Sequence, residues 1–153
     1  MLNLYFAGKF ENRFLIKCLI QYLTSIMEPF KITSDWVNGG YVPSIKTRAK
    51  IDFTNIDNSN LLIAVQPLGH GGISEIAYAL GKKIPVICIV EELIWFQKID
   101  PEWGWATPLP TGRLNLYNSD NGSVNFNKES PGYIIYEFKD LIKLLNLYSI
   151  LFE

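Results

Sequence analysis

The stretch richest in chemistry is Gly69-His70-Gly71-Gly72-Ile73-Ser74-Glu75, set between the apolar run Leu61-Leu62-Ile63-Ala64-Val65 and a helical pattern over 73–80. Glycines at such a junction let the backbone approach a ligand, and a helix start offers unpaired N–H groups to an anion. Glu75 is predicted in the first turn of that helix, where a carboxylate also does no more than favour the positive end of the helix dipole. No Gly-x-x-x-x-Gly-Lys-Ser/Thr segment occurs, which excludes a P-loop. A dinucleotide fingerprint needs glycine where Ser74 stands, although Glu91 after the next strand is spaced like its ribose-binding acid. His70 is the sole histidine, a candidate acid/base or ligand contact. No Cys/His/Asp cluster has metal-ligand spacing, so neither metal nor cofactor is expected.

These residues need a scaffold, and the apolar periodicity supplies one. Strands are predicted over 2–7, 31–37, 61–65, 84–90 and 133–136. Between them, 11–28 reads as a helix with Phe14, Leu15, Cys18, Leu19, Tyr22, Leu23 and Ile26 on its inner face. A second helix over 47–59 turns Ile51 and Ile56 inward, and a last one covers 137–148. The wholly apolar 61–65 run is the expected central strand of a parallel sheet. Alternating strands and helices imply a single α/β domain over 1–153, flavodoxin-like or Rossmann-like, an open parallel sheet with helices on both faces. Ligands then lie beyond the strand carboxyl ends, after residues 7, 37, 65 and 90. Residues 91–131 break the rhythm and form an irregular insert.

Four ordered segments resemble the nucleoside 2-deoxyribosyltransferase superfamily: Leu4-Tyr5-Phe6-Ala7-Gly8-Lys9-Phe10, Thr33-Ser34-Asp35-Trp36-Val37-Asn38-Gly39, Asp52-Phe53-Thr54-Asn55-Ile56-Asp57-Asn58-Ser59-Asn60, and Gly71-Gly72-Ile73-Ser74-Glu75-Ile76-Ala77-Tyr78-Ala79-Leu80-Gly81-Lys82. The resemblance covers residues 2–90 and implies exchange or hydrolysis at an N-glycosidic bond. It puts Glu75 at the nucleophile position and Asp52 at that of the aspartate that handles the base, with Asp57 as the next candidate. The span from Pro67 to Glu75 is also similar to the glycine-rich loop of cytokinin-activating phosphoribohydrolases, which act on the same type of bond.

Chemistry stands beside the analogy. Breaking an N-glycosidic bond builds positive charge at the anomeric carbon, which a carboxylate beneath the sugar stabilises or attacks. The leaving base must gain a proton or strong hydrogen bonds, which a second carboxyl of raised pKa supplies. Tyr5 lies near the end of strand one, where the family places an aromatic residue near the base. Gly8 and Lys9 form the first loop, with Lys9 a candidate phosphate or base contact. Trp36 ends the second strand, placed to stack on a base. Ser74 and the N–H groups of Gly71 and Gly72 are candidates for a 5′-phosphate. The transferases carry an acid in this loop to bind the sugar, and Gly69 and His70 offer none. The alternative function is a nucleotide-sensing module of the same fold without turnover.

Composition narrows the partners. The 153 residues carry 14 Lys+Arg against 15 Asp+Glu, dispersed, so no electrostatic footprint for a nucleic-acid polymer exists. No run approaches a bilayer span, and Met1-Leu2-Asn3-Leu4-Tyr5 lacks a signal-peptide pattern, so a cytoplasmic protein without membrane contact is expected. Cys18 and Cys88 sit among apolar residues, where reduced thiols pack as small hydrophobes. The family resemblance adds a homo-oligomer, since its members commonly complete the pocket with a neighbouring subunit. The ligand expected is a small nucleoside or nucleotide.

Overall fold

The computed structural model describes residues 1–27, 29–39, 44–66, 68–89, 114–117, 119 and 126–153. Six strands are found there: β1 (Leu2–Ala7), β2 (Phe30–Ile32), β3 (Leu61–Val65), β4 (Val86–Ile89), β5 (Asn115–Leu116) and β6 (Gly132–Ile135). They form one sheet in the order β2-β1-β3-β4-β6-β5, and every pairing is parallel. Among the described residues four α-helices accompany them: α1 (Arg13–Ile26), α2 (Ile45–Asp57), α3 (His70–Gly81) and α4 (Phe138–Leu151). This is the expected open α/β sheet, in flavodoxin-like order extended by an edge strand. No described helix is long and apolar enough to cross a membrane.

The sheet centre is apolar because both its faces are covered. All five residues of β3 are buried, as are Leu4, Tyr5, Phe6 and Ala7 of β1, paired from Leu4 opposite Leu61 to Ala7 opposite Ala64. From β1 the chain steps one way to β2, then the other way to β3 and β4. Right-handed crossovers therefore place α1 on one face and α2 with α3 on the other. Ring contacts agree: Tyr22 of α1 meets Phe138 of α4 at 5.1 Å, and Phe53 of α2 stacks on Tyr78 of α3 at 4.3 Å. The direction of travel reverses between β1 and β3, the crevice where such sheets bind ligands.

Several expectations need correction. The second strand stops at Ile32, and Asp35–Asn38 forms a 3-10 helix. Trp36 is therefore not a strand residue; it is buried, and its indole N–H donates to the Phe6 carbonyl at 2.9 Å, fixing this turn against β1. Helix α1 buries Ile16 and Leu23 and leaves Phe14, Leu15, Cys18, Tyr22 and Ile26 exposed, so its inner stripe is rotated from the predicted face. The pattern misled because apolar residues cover a wide arc of this helix, and only one edge of that arc is buried. Cys88 is buried as expected and Cys18 is not. Within the expected irregular insert lies β5, pairing Asn115 with Tyr133, whereas Glu91 and most of 91–131 fall outside the described residues.

Helix α3 begins at His70, with Gly69 as its N-cap, so His70, Gly71 and Gly72 make its first turn rather than a loop. Glu75 accordingly lies in the second turn. The dipole effect fades beyond the first turn, which removes the helix-dipole explanation for this carboxylate.

Candidate active site

Helices α2 and α3 face one another along two matched stripes. On α2, Ile45, Arg48, Ala49, Asp52 and Phe53 recur at three- and four-residue intervals; on α3, Gly71, Ser74 and Glu75 do the same. These eight residues line one cavity of about 350 Å³. Helix α2 suits this task because Ile56 is its sole buried residue, leaving its polar side chains free to face the neighbouring helix. Its start is fixed locally, with Ser44 Oγ accepting the Thr47 N–H at 3.1 Å. On α3 the opposite stripe, Gly72, Ile76, Ala79 and Leu80, is buried. That packing turns Glu75 toward α2.

The two carboxylates singled out in the sequence thus share a cavity. Asp52 is held by Arg48 one turn earlier: Arg48 Nε donates to Asp52 Oδ1 at 3.0 Å, and Nη2 reaches the same oxygen. Nη2 also donates to Asp35 Oδ1 at 2.6 Å, and Asn55 Nδ2 donates to that oxygen at 3.1 Å. Among the described residues no donor reaches Asp52 Oδ2.

Glu75 sits differently. The residue is half-buried, but its Oε2 is shut off from solvent and has no hydrogen-bond partner. Burial pushes its pKa up to about 8, and the Asp52 charge adds to the rise; the Tyr5 hydroxyl and the Arg48 guanidinium pull it down. Tyr5, wholly buried on β1, has a hydroxyl without a hydrogen bond, and burial, then the charges of Glu75 and Asp52, hold it far above the usual phenol range. It is a neutral O–H group beside the carboxyl. Arg48 Nη1 is likewise buried and unpaired. Buried polar groups normally find partners, and of the four buried side-chain atoms without one among the described residues, three gather at this cavity, where the Tyr5 hydroxyl and the Glu75 carboxyl are neighbours; the fourth is Tyr148 Oη.

Of the residues predicted for the site, Asp52, Glu75, Gly71 and Ser74 line the cavity, and Tyr5 borders Glu75 from beneath. A Cβ on Gly71 would sit 3.9 Å from Glu75 Oε1. Ser74 Oγ donates back to the His70 carbonyl at 2.9 Å. Gly8, Lys9, Trp36, His70 and Gly72 are not among the lining residues. Gly8 permits close packing, since a Cβ there would come within 2.9 Å of Ile16 Cδ1, and a Cβ on Gly72 within 2.9 Å of Leu68 Cδ2. Lys9 passes beside Gly69, and His70 is exposed. Asp57 points elsewhere, accepting from the Tyr78 hydroxyl at 2.9 Å. Sequence reasoning missed Arg48, Asp35, Phe53, Ile45 and Ala49. The Arg48-x-x-x-Asp52 spacing inside a predicted helix was the available signal for the first. No cluster of three or more metal-binding side chains occurs among the described residues.

No family model matches the chain, and no curated protein matches it. Solved structures do. One is a CMP N-glycosidase of Clostridium botulinum, BcmB, at 20% identity and a TM-score of 0.55, with 95% of this chain and 99% of that one covered. Another is a conserved protein of Enterococcus faecalis V583, at 22% identity and a TM-score of 0.66, covering 97% of this chain and 99% of that one. At such identities the likeness is one of fold, and it spans both chains nearly end to end.

Proposed function

We propose that this chain cleaves, or transfers across, the N-glycosidic bond of a nucleoside or nucleotide, with Glu75 beneath the sugar and Asp52 beside the base. The observation that carries the reading is that these two acids, from separate helices and 23 positions apart in the sequence, line one small cavity. The fold shared with a CMP N-glycosidase supports it.

The bond between the anomeric carbon and the base nitrogen breaks with its electron pair leaving on the base. The ionised Glu75 oxygen attacks the anomeric carbon and forms a glycosyl ester. Water then displaces Glu75 to give the free sugar, or a second base displaces it to give a new nucleoside. With a pKa of about 8, Glu75 is ionised in roughly a tenth of molecules at pH 7. A half-desolvated carboxylate is a stronger nucleophile than a hydrated one, and the Tyr5 hydroxyl offers it one stabilising donor.

The test is direct. Protein is incubated with CMP, dCMP and deoxycytidine, with and without free adenine, and cytosine and exchanged nucleoside are separated by chromatography. Wild type releases base and Glu75→Ala does not, although its circular dichroism is unchanged. Base release by Glu75→Ala at the wild-type rate, or none by the wild type on any of the three, rejects the reading.

A further inference from the structure

We infer that Arg48 is the positioning residue of this site: it chelates Asp52 through one oxygen, so that the other is presented to the cavity as a fixed acceptor for an N–H of the base. The inference rests on the proposed N-glycosidic chemistry for its substrate, but the chelate itself is a matter of geometry. Two nitrogens of one guanidinium, Nε and Nη2, converge on Asp52 Oδ1 and leave Oδ2 without a donor among the described residues. The same Nη2 also donates to Asp35, which Asn55 holds in turn. An aspartate anchored at both the helix backbone and one oxygen has little freedom left at its side-chain torsions. The remaining oxygen therefore has a defined direction.

A consequence for the chemistry follows. Asp52, bonded to Arg48 through Oδ1, is placed to accept a hydrogen bond at Oδ2. The base-side group anticipated from the sequence as a proton donor is recast as an acceptor, which recognises an amino or ring N–H group and orients the base. Arg48 also supplies the positive charge that offsets two acids in one cavity. Glu75 is faced by Asp52 and Arg48 from α2 and by Tyr5 from β1, and Arg48 is the cation among them. A lysine at this position would keep the charge and lose the two-nitrogen chelate, so charge and geometry are separable.

The experiment compares Arg48→Lys and Arg48→Met with wild type. The Glu75 carboxyl is titrated by carbon-13 NMR, assigned by its loss in Glu75→Gln, and cytosine release from CMP is measured on the same proteins. We expect Arg48→Met to move the Glu75 midpoint to higher pH and Arg48→Lys to leave it near wild type. Both lower kcat by about 10- to 100-fold, with KM changed less, as misplacement of a catalytic constellation does. A wild-type kcat in Arg48→Lys overturns the positioning role, and a Glu75 midpoint unmoved in Arg48→Met overturns the charge role. If even wild type releases no cytosine, the proposed function fails separately; the titration then decides the charge role, and CMP affinity decides the positioning role, expected weaker in Arg48→Lys than in wild type and overturning that role if equal.

Discussion

Glu75→Gln should stabilise the protein in a pH-dependent manner. The carboxyl binds its proton more tightly folded, with a pKa of about 8, than at its ordinary value of 4.5. Between those values the native state holds more protons than the unfolded one, so stability falls as pH rises through the window and the full penalty is present above pH 8. At pH 7 the cost is about 3 kcal/mol, and at pH 4.5 it is below about 0.5 kcal/mol. Glutamine keeps the shape but places an amide where Oε2 has no partner, a cost of about 1–3 kcal/mol that does not vary with pH. The readout is therefore the difference between the two proteins at two pH values, from which that constant cancels. Melting curves should show Glu75→Gln gaining about 6–12 °C on wild type in going from pH 4.5 to pH 7. If the two proteins shift in parallel, within about 1 °C, then Glu75 is not a desolvated acid and its assignment as the carboxylate of the reaction loses its physical basis.

Three further outcomes are expected. If the ionised form of Glu75 attacks the sugar, kcat/KM for base release rises about tenfold per pH unit below pH 8 and levels off above it; a fall above pH 8 would make Glu75 a general acid instead. Cys18 is exposed, whereas Cys88 is buried with its thiol pushed up to about 11 by burial, so Ellman's reagent should titrate one thiol in the native protein and two in urea. Two fast native thiols would contradict the packing of β4. Lys83 adopts φ +61° after α3, where the Ile84 N–H closes the helix end on the Ala79 carbonyl at 2.9 Å. A left-handed residue costs about 1–2 kcal/mol and glycine's lost entropy about 0.5–1, so Lys83→Gly should gain roughly 0.5–1 kcal/mol in urea unfolding. No gain would show that the lysine side chain contributes as much as its backbone strain removes.

What the sequence made legible follows from how uniquely a pattern maps to a structure. The Leu61–Val65 run has one reading, a strand covered on both faces, and it is the sheet's buried centre. Glu75 and Asp52 were legible because four ordered segments resemble a family with acids at these positions, and both lie on the helices that flank that strand. The inner face of α1 was not, because Phe14, Leu15, Tyr22 and Ile26 offer as much apolar surface as Ile16 and Leu23, and the sheet selects the smaller set. Trp36 was misplaced because the segment from Lys31 to Val37, closed by Asn38-Gly39-Gly40, reads as one strand. Its indole hydrogen bond to the Phe6 carbonyl, a contact between residues 30 positions apart, holds the chain in a 3-10 turn that no local pattern records. The start of α3 was drawn three residues late, since two glycines in succession argue against a helix until tertiary packing overrides propensity.

That override bears on the site itself. A Gly71-Gly72 pair in the first turn weakens α3 by about 1 kcal/mol per glycine relative to alanine. What is obtained in exchange is space: Gly72 lets the helix settle onto Leu68, and Gly71 leaves the approach to Glu75 Oε1 clear of any side chain. The same region holds the unpaired Tyr5 hydroxyl, Arg48 Nη1 and Glu75 Oε2. Weak helix formers, an acid held protonated by burial and unmatched polar atoms are each unfavourable for folding, and of the four buried side-chain atoms without a partner among the described residues only Tyr148 Oη lies away from this cavity. Their convergence on the α2–α3 cavity, above a sheet whose centre is apolar throughout, is the expected cost of a preorganised site. It implies a specific order of effects on mutation: changes that fill or neutralise this cavity should raise stability while they remove turnover, and changes in β3 should lower both.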